Sequence, residues 1–210
     1  MSNYFNMFTV PYQRVNVPSV DFDRLEKFCL DKREEDRGRD KSNWGGYQSN
    51  DLQMVDYPAE FQFFVSDLLD ETQKFASEID LDEKIGLGNS WININSFKDS
   101  NRHHVHPGCI LSGIYYVKTP PKSGKLIFSH PIEKLLACYW PKHRIKRFSE
   151  ATSAEWGFYP EKGDFFIFPS WLEHHVQPHR NEDEERISIA FNYVSKNIQN
   201  IDTIKHDRNL

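Results

Sequence analysis

No stretch of the chain approaches the roughly 18 consecutive apolar residues that a membrane-spanning helix requires, so no membrane partner is expected. Met1–Val10 has neither a charged start nor an apolar core, so a secretory signal is not expected and a cytoplasmic location is. Cationic side chains are outnumbered, 26 Lys and Arg against 31 Asp and Glu, and the net charge of −5 disfavours nucleic acid, whose binding proteins present a basic surface. There are only three cysteines, Cys29, Cys109 and Cys138, without close paired spacing. They fit a reducing intracellular compartment better than a disulfide framework. Cys109 follows His106 closely, but the expectation is a small buried thiol in a strand rather than a ligand. Internal repeats and low-complexity tracts are also missing.

Hydrophobic residues make up only 38% of the chain, yet 16 Phe, 9 Tyr and 5 Trp provide bulky core material. With 210 residues, one domain spanning 1–210 is expected. Its first part, 1–88, reads as an extended segment over 4–17 limited by Pro11 and Pro18, then supporting helices. Phe22, Leu25, Phe28 and Cys29 have helical spacing and predict a helix over 20–33. The charged run 31–41 and the polar stretch 43–50 read as a solvated connector. A second helix starts at Pro58 and carries the stripe Phe61, Phe64, Val65, Leu68, Phe75 and Ile79, which should pack on a sheet. Gly86 and Gly88 then end the helical part.

From there the pattern alternates as strands do. The runs 90–97, 108–118, 124–129, 163–168 and 187–194 are short, β-rich and separated by Pro, Gly and polar turns. No helical pattern falls between the first three, which argues for an antiparallel jelly roll or barrel over 89–195. The fold class expected is mainly β with supporting α-helices. The stretch 129–161 reads as a long irregular loop with Trp140, Trp156 and the basic cluster Lys142, His143, Arg144, Lys146 and Arg147. A tail occupies 196–210.

Six of the nine histidines fall within 103–106 and 174–179. Residues i and i+2 of a strand share a face, so His104 and His106 can bind one metal ion, with His174 as a distant third ligand. Such a triad with open positions suits oxygen-activating non-haem iron. His103 would share a face with Val105, which carries no ligand, and His175 would point away from His174. His179 is expected in a turn before the acidic run 182–185, and Asp99 and Glu173 are nearby carboxylates that could ligate instead. Arg186, with Ser188 on the same strand face, would supply the planar cationic fork a dicarboxylate requires. The dull alternative for Arg186 is a surface ion pair with Glu182, Glu184 or Glu185.

Together, His104–Gly108 (His-x-His-Pro-Gly), Ser112–Val117 (Ser-Gly-x-Tyr-Tyr-Val), Phe168–His174 (Phe-Pro-Ser-Trp-Leu-x-His) and Arg186–Asn192 resemble the Fe(II)/2-oxoglutarate-dependent dioxygenases, in particular a microbial and viral prolyl-hydroxylase-like branch. The resemblance covers about 90–194. It implies a double-stranded β-helix, a form of jelly roll, with Fe(II) held by His104, His106 and His174. His106 stands where most of that superfamily has aspartate. The resemblance further implies that 2-oxoglutarate is bound by Arg186, Ser188 and Tyr116, with Asn95 at its metal-bound end, although Asn93 shares the face of Asn95. Ascorbate is implied as an accessory reductant. The expected activity is hydroxylation of a substrate with release of succinate and CO2. Two rival readings stand beside it: a zinc-dependent hydrolase on a cupin-like barrel, using three imidazoles and an open position, and a 2-oxoglutarate-binding module inactivated by the histidine at 106. The sequence leaves the substrate, small molecule or peptidyl, and the oligomeric state open, a homodimer included.

Overall fold

The computed structural model describes residues 7–18 and 20–196. Residues 4–6 of the expected extended segment and nearly all of the expected tail lie outside the described residues.

In chain order the elements are β1 (Gln13–Asn16), α1 (Phe22–Glu35), β2 (Asn43–Trp44), β3 (Tyr47–Gln48), α2 (Ala59–Glu78), β4 (Ile85–Asn95), β5 (Ser100–His104), β6 (Leu111–Lys118), β7 (Leu126–Ser129), α3 (Glu133–Tyr139), β8 (Glu155–Phe158), β9 (Asp164–Pro169), β10 (His174–Val176) and β11 (Arg186–Ser195). The strands form a six-stranded sheet, β1-β9-β6-β11-β4-β3, and a five-stranded sheet, β2-β5-β10-β7-β8. All pairings are antiparallel. This is the expected jelly roll.

Both long helices start where local chemistry favours it. Asp21 caps α1, its carboxylate accepting from the Arg24 amide at 3.2 Å. Pro58 precedes α2, where its missing N–H costs nothing. The predicted stripes face inward: Leu25, Phe28 and Cys29 on α1, and Phe61, Phe64, Val65, Leu68 and Phe75 on α2, are buried. They meet one face of the six-stranded sheet, namely Ile92, Ile94, Tyr115, Ile187, Ile189 and Phe191. Phe64 packs edge-on against Tyr115 with ring centroids 4.6 Å apart. A second, smaller cluster lies between the sheets: Ile114, Tyr116, Leu126, Phe128, Phe166, Phe168, Leu172 and Val176. Strand alternation assigns adjacent residues such as Tyr115 and Tyr116 to different cores.

Several expectations change. β4 begins at Ile85, so Gly86 and Gly88 lie inside a strand instead of ending the helical part. A Cβ at Gly88 would stand 3.0 Å from the Val194 side chain and 3.2 Å from the Asn192 carbonyl, so the glycine permits a close strand approach. α1 runs on to Glu35, and the supposed connector contributes β2 and β3, the latter pairing Gln48 with Asn93. The stretch 129–161 is only partly irregular, since it holds α3 and the edge strand β8. Its basic cluster is carried on a short 3-10 turn and the bends after it. Cys109 is half-buried just before β6 instead of inside a strand, and Cys29, Cys109 and Cys138 are all free thiols. Among the described residues no helix is long and apolar enough to cross a membrane.

Candidate active site

His104, His106 and His174 come together at the mouth of the space between the sheets, one ligand atom of each lying within 4.8 Å of the others. β10 sits between β5 and β7, and its first residue, His174, pairs with His104 on one side and Phe128 on the other. The i, i+2 argument names residues that do come together, but for a reason that holds only in part. β5 ends at His104, so His106 lies beyond the strand and a different contact aims it. Its amide donates to the Ser170 carbonyl at 2.9 Å. Ser170 is itself tied down, its hydroxyl 2.8 Å from that of Ser112, which donates to Asn192 Oδ1 at 3.0 Å. These three buried polar residues come from three separate sequence motifs and hold the turn leading to His174 against the loop carrying His106. Sequence reading missed them as positioning residues, although each sits inside a motif that drew attention.

The imidazoles are oriented for ligation. Nδ1 of His104 lies 2.7 Å from the Arg102 carbonyl and Nδ1 of His174 lies 2.9 Å from the Leu172 carbonyl. A carbonyl only accepts, so Nδ1 carries the proton in both rings and Nε2 is left with a free lone pair. Nε2 of His106 approaches Nε2 of His174 to 3.3 Å. Burial, reinforced by the neighbouring imidazoles, disfavours the imidazolium form throughout: the His104 pKa falls, that of His174 falls well below the usual range, and that of His106 is pushed down to about 3. Neutral imidazoles are what a metal ion needs. Phe168 and Phe128 wall the site, their rings 4.7 Å and 6.1 Å from that of His174. Neither Asp99 nor Glu173 belongs to this cluster. Asp99 accepts the Ser96 amide at 2.8 Å, and Glu173 is exposed. His179 is fully buried between strands, its Nε2 2.6 Å from the Glu184 carbonyl.

Arg186 resolves the open alternative. It is 1% exposed and makes no ion pair with the acidic run before it; Glu185 pairs instead with Arg33 and Glu184 with Lys118. Nη1 donates to the carbonyls of Ser123 and Gln177, whereas Nη2 is buried with no partner. Burial opposes the charge, but a guanidinium stays protonated in proteins, so this is a desolvated cation facing an empty valence. The register gathers further unmet polar groups on the same sheet face. Asn95 pairs with Arg186, and Ser188 lies opposite Asn93 on one side and Tyr116 on the other. Oδ1 of Asn93, Oδ1 of Asn95, the Tyr116 hydroxyl and Oε1 of Gln48 are all buried without a partner. Burial pushes the Tyr116 phenol up to about 12, against the pull of the Arg186 charge, so it remains a hydrogen-bond donor. Gln48 is the residue the sequence hid, because a glutamine in a polar stretch carries no signal until β3 places it beside Asn93.

Three clustered imidazoles, two of them presenting a free Nε2 lone pair, beside a buried cation that lacks an anion, define a jelly-roll metalloenzyme with a slot for a small anionic co-substrate. The donor set and the orphaned polar atoms therefore fit both a divalent metal and a diacid. Residues 89–192 match the sequence family described as "Putative 2OG-Fe(II) oxygenase". No curated protein sequence matches the chain. Solved structures share its fold at low identity. A Pseudomonas putida prolyl-4-hydroxylase superposes with a TM-score of 0.62 at 13% identity, over 90% of this chain and 94% of that one. HygX from Streptomyces hygroscopicus, solved with nickel and 2-oxoglutarate, gives 0.56 at 14% identity, over 90% and 84%. A viral collagen prolyl hydroxylase from Paramecium Bursaria Chlorella virus-1, solved as a 2OG complex, gives 0.54 at 13% identity, over 87% and 94%. The family match leaves the zinc-hydrolase reading without support, and no carboxylate joins the triad among the described residues to serve as its base.

Proposed function

We propose that this oxygenase hydroxylates a C–H bond of a small-molecule or peptidyl substrate, with His104, His106 and His174 holding Fe(II) and Arg186 anchoring 2-oxoglutarate. The observation that carries the reading is the guanidinium of Arg186, buried beside the inter-sheet space with Nη2 unpaired. Bound there, Fe(II) and 2-oxoglutarate would supply the oxidative decarboxylation to succinate and CO2 that drives hydroxylation.

The protein's own part is binding, orientation and exclusion of water. The Arg102 and Leu172 carbonyls keep the Nδ1 protons of His104 and His174 in place and so present Nε2 to the ion. Arg186 would donate to the distal carboxylate of the keto acid as a charge-assisted pair. The Tyr116 hydroxyl donates to that carboxylate and Ser188 lies alongside. Asn95 serves the metal-bound end through its amide, and Asn93 and Gln48 border the same slot. Phe128, Phe168 and Leu172 keep bulk water from the buried side of the triad. With histidine at 106 where aspartate is usual, the ligand set is neutral, so the charge of a bound dianion would carry more of the neutralisation at the metal.

The test is anaerobic addition of Fe(II) and 2-oxoglutarate to the protein. The expected result is a weak visible charge-transfer band that requires both additions, followed by stoichiometric succinate on admission of oxygen. Absence of the band at saturating concentrations would overturn the reading.

A further inference from the structure

On β5 and β10 the residues that alternate with the triad point outward, to the opposite face of the five-stranded sheet. Pairing of His174 with His104 sets His175 beside His103, and their rings stack with centroids 3.9 Å apart at an interplanar angle of 14°. Across β7 the register leads from His175 to Ile127 and on to Gly157, and Glu155 lies two residues from that glycine on the same face. One ligand atom from each of His103, His175 and Glu155 lies within 4.8 Å of the others. We propose that these three residues form a second metal site that takes Zn(II), separate from the iron triad.

Two imidazoles and a carboxylate are a donor set suited to zinc, with water completing the shell. Zinc bonds of about 2.0–2.2 Å to nitrogen and oxygen place tetrahedral ligand atoms roughly 3.4 Å apart. Closing the site therefore takes a modest rotation of the exposed His103 and Glu155 side chains. A further observation points to a ligand: Nδ1 of His175 is buried and has no hydrogen-bond partner. No step assigned to the oxygenase uses His103, His175 or Glu155. An ion here would tie β5, β10 and β8 together behind the iron site, because consecutive residues supply the two sites from the same two strands.

The experiment is a zinc titration of tag-free, full-length protein followed by metal analysis, for the wild type, His103→Ala and Glu155→Gln. Both substituted side chains are exposed, and far-ultraviolet circular dichroism checks their fold. The deciding quantity is the difference between wild type and variant, so it stands whether or not the triad also takes zinc. The wild type is expected to hold one zinc per chain more than His103→Ala, and Glu155→Gln to bind that extra ion at least tenfold more weakly. A zinc-dependent rise in the thermal midpoint is expected to be smaller in His103→Ala than in the wild type. Equal zinc content in wild type and His103→Ala would overturn the proposal, as would extra zinc that both substitutions leave in place.

Discussion

On β11, Ile187, Ile189 and Phe191 lie against the helices, while Arg186 and Ser188 face the space between the sheets. The same division runs along β4, where Ile92 and Ile94 go one way and Asn93 and Asn95 the other. On the helix side, apolar area is removed from water and the Tyr115 hydroxyl donates to the Val17 carbonyl at 2.8 Å, leaving the Tyr193 hydroxyl as the unmet group of that core. On the inner side, Nη2 of Arg186 and four buried polar groups around it have no partner. Each such group costs on the order of 1–3 kcal/mol when left unmet. One face of the sheet therefore holds the fold together, and the other keeps hydrogen-bonding capacity in reserve for a ligand.

The sharpest way to break that division is at the triad. His174→Ala is expected to abolish metal retention by the triad and 2-oxoglutarate turnover, as read by iron content and succinate formation. Retained turnover would remove His174 from the metal site. Phe191→Ala tests the opposite face: loss of a fully buried ring should cost about 3–5 kcal/mol of stability in denaturant unfolding. Below its unfolding transition the variant's 2-oxoglutarate requirement should stay near that of the wild type. A large shift in that requirement would mean the two faces are not energetically separate.

The extent to which the sequence discloses this arrangement follows from where the side-chain period is long enough to read. In β6, β9 and β11, buried runs of six or more residues separate Tyr115 from Tyr116 and put Arg186 and Ser188 on one face. The helices are legible for the same reason, since Phe61, Phe64, Val65, Leu68 and Phe75 repeat over about four turns. Short strands are not. β2 and β3 have two residues each and β10 has three, and pairing with neighbours rather than their own composition makes them strands. Hence Gln48 reads, in the sequence, as part of a wet connector. His106 was selected by strand spacing but is aimed by the Ser170 carbonyl, a contact between segments that spacing cannot express.

Smaller effects sharpen the inner side. Tyr116→Phe removes a hydroxyl that has no partner in the protein, so it should leave stability nearly unchanged. The 2-oxoglutarate requirement should rise roughly five- to tenfold, the value of one hydrogen bond of about 1–1.5 kcal/mol. A stability loss without that rise would make the tyrosine a structural residue. The smallest effect concerns the segment that carries Gln48, which Asp51 pins through Arg39 and Asn89. Hydrogen bonds from the Arg39 side chain, and then from Asn89, hold the Asp51 carboxyl below its ordinary value. A depressed folded-state pKa contributes stability above the unfolded value, near 4, that is lost as pH falls through the folded one. Thermal midpoints of wild type and Asp51→Asn should thus differ slightly at pH 6 and converge on acidification below pH 4. A constant gap would show that Asp51 acts otherwise.

The most direct measurement is calorimetric titration of 2-oxoglutarate into anaerobic, Fe(II)-loaded wild type and Arg186→Gln. Truncating one partner of a buried charge pair costs about 2–5 kcal/mol, so the variant should bind at least roughly 30-fold more weakly while keeping its iron. Undiminished affinity in the variant would contradict the assignment of the unpaired guanidinium to the co-substrate.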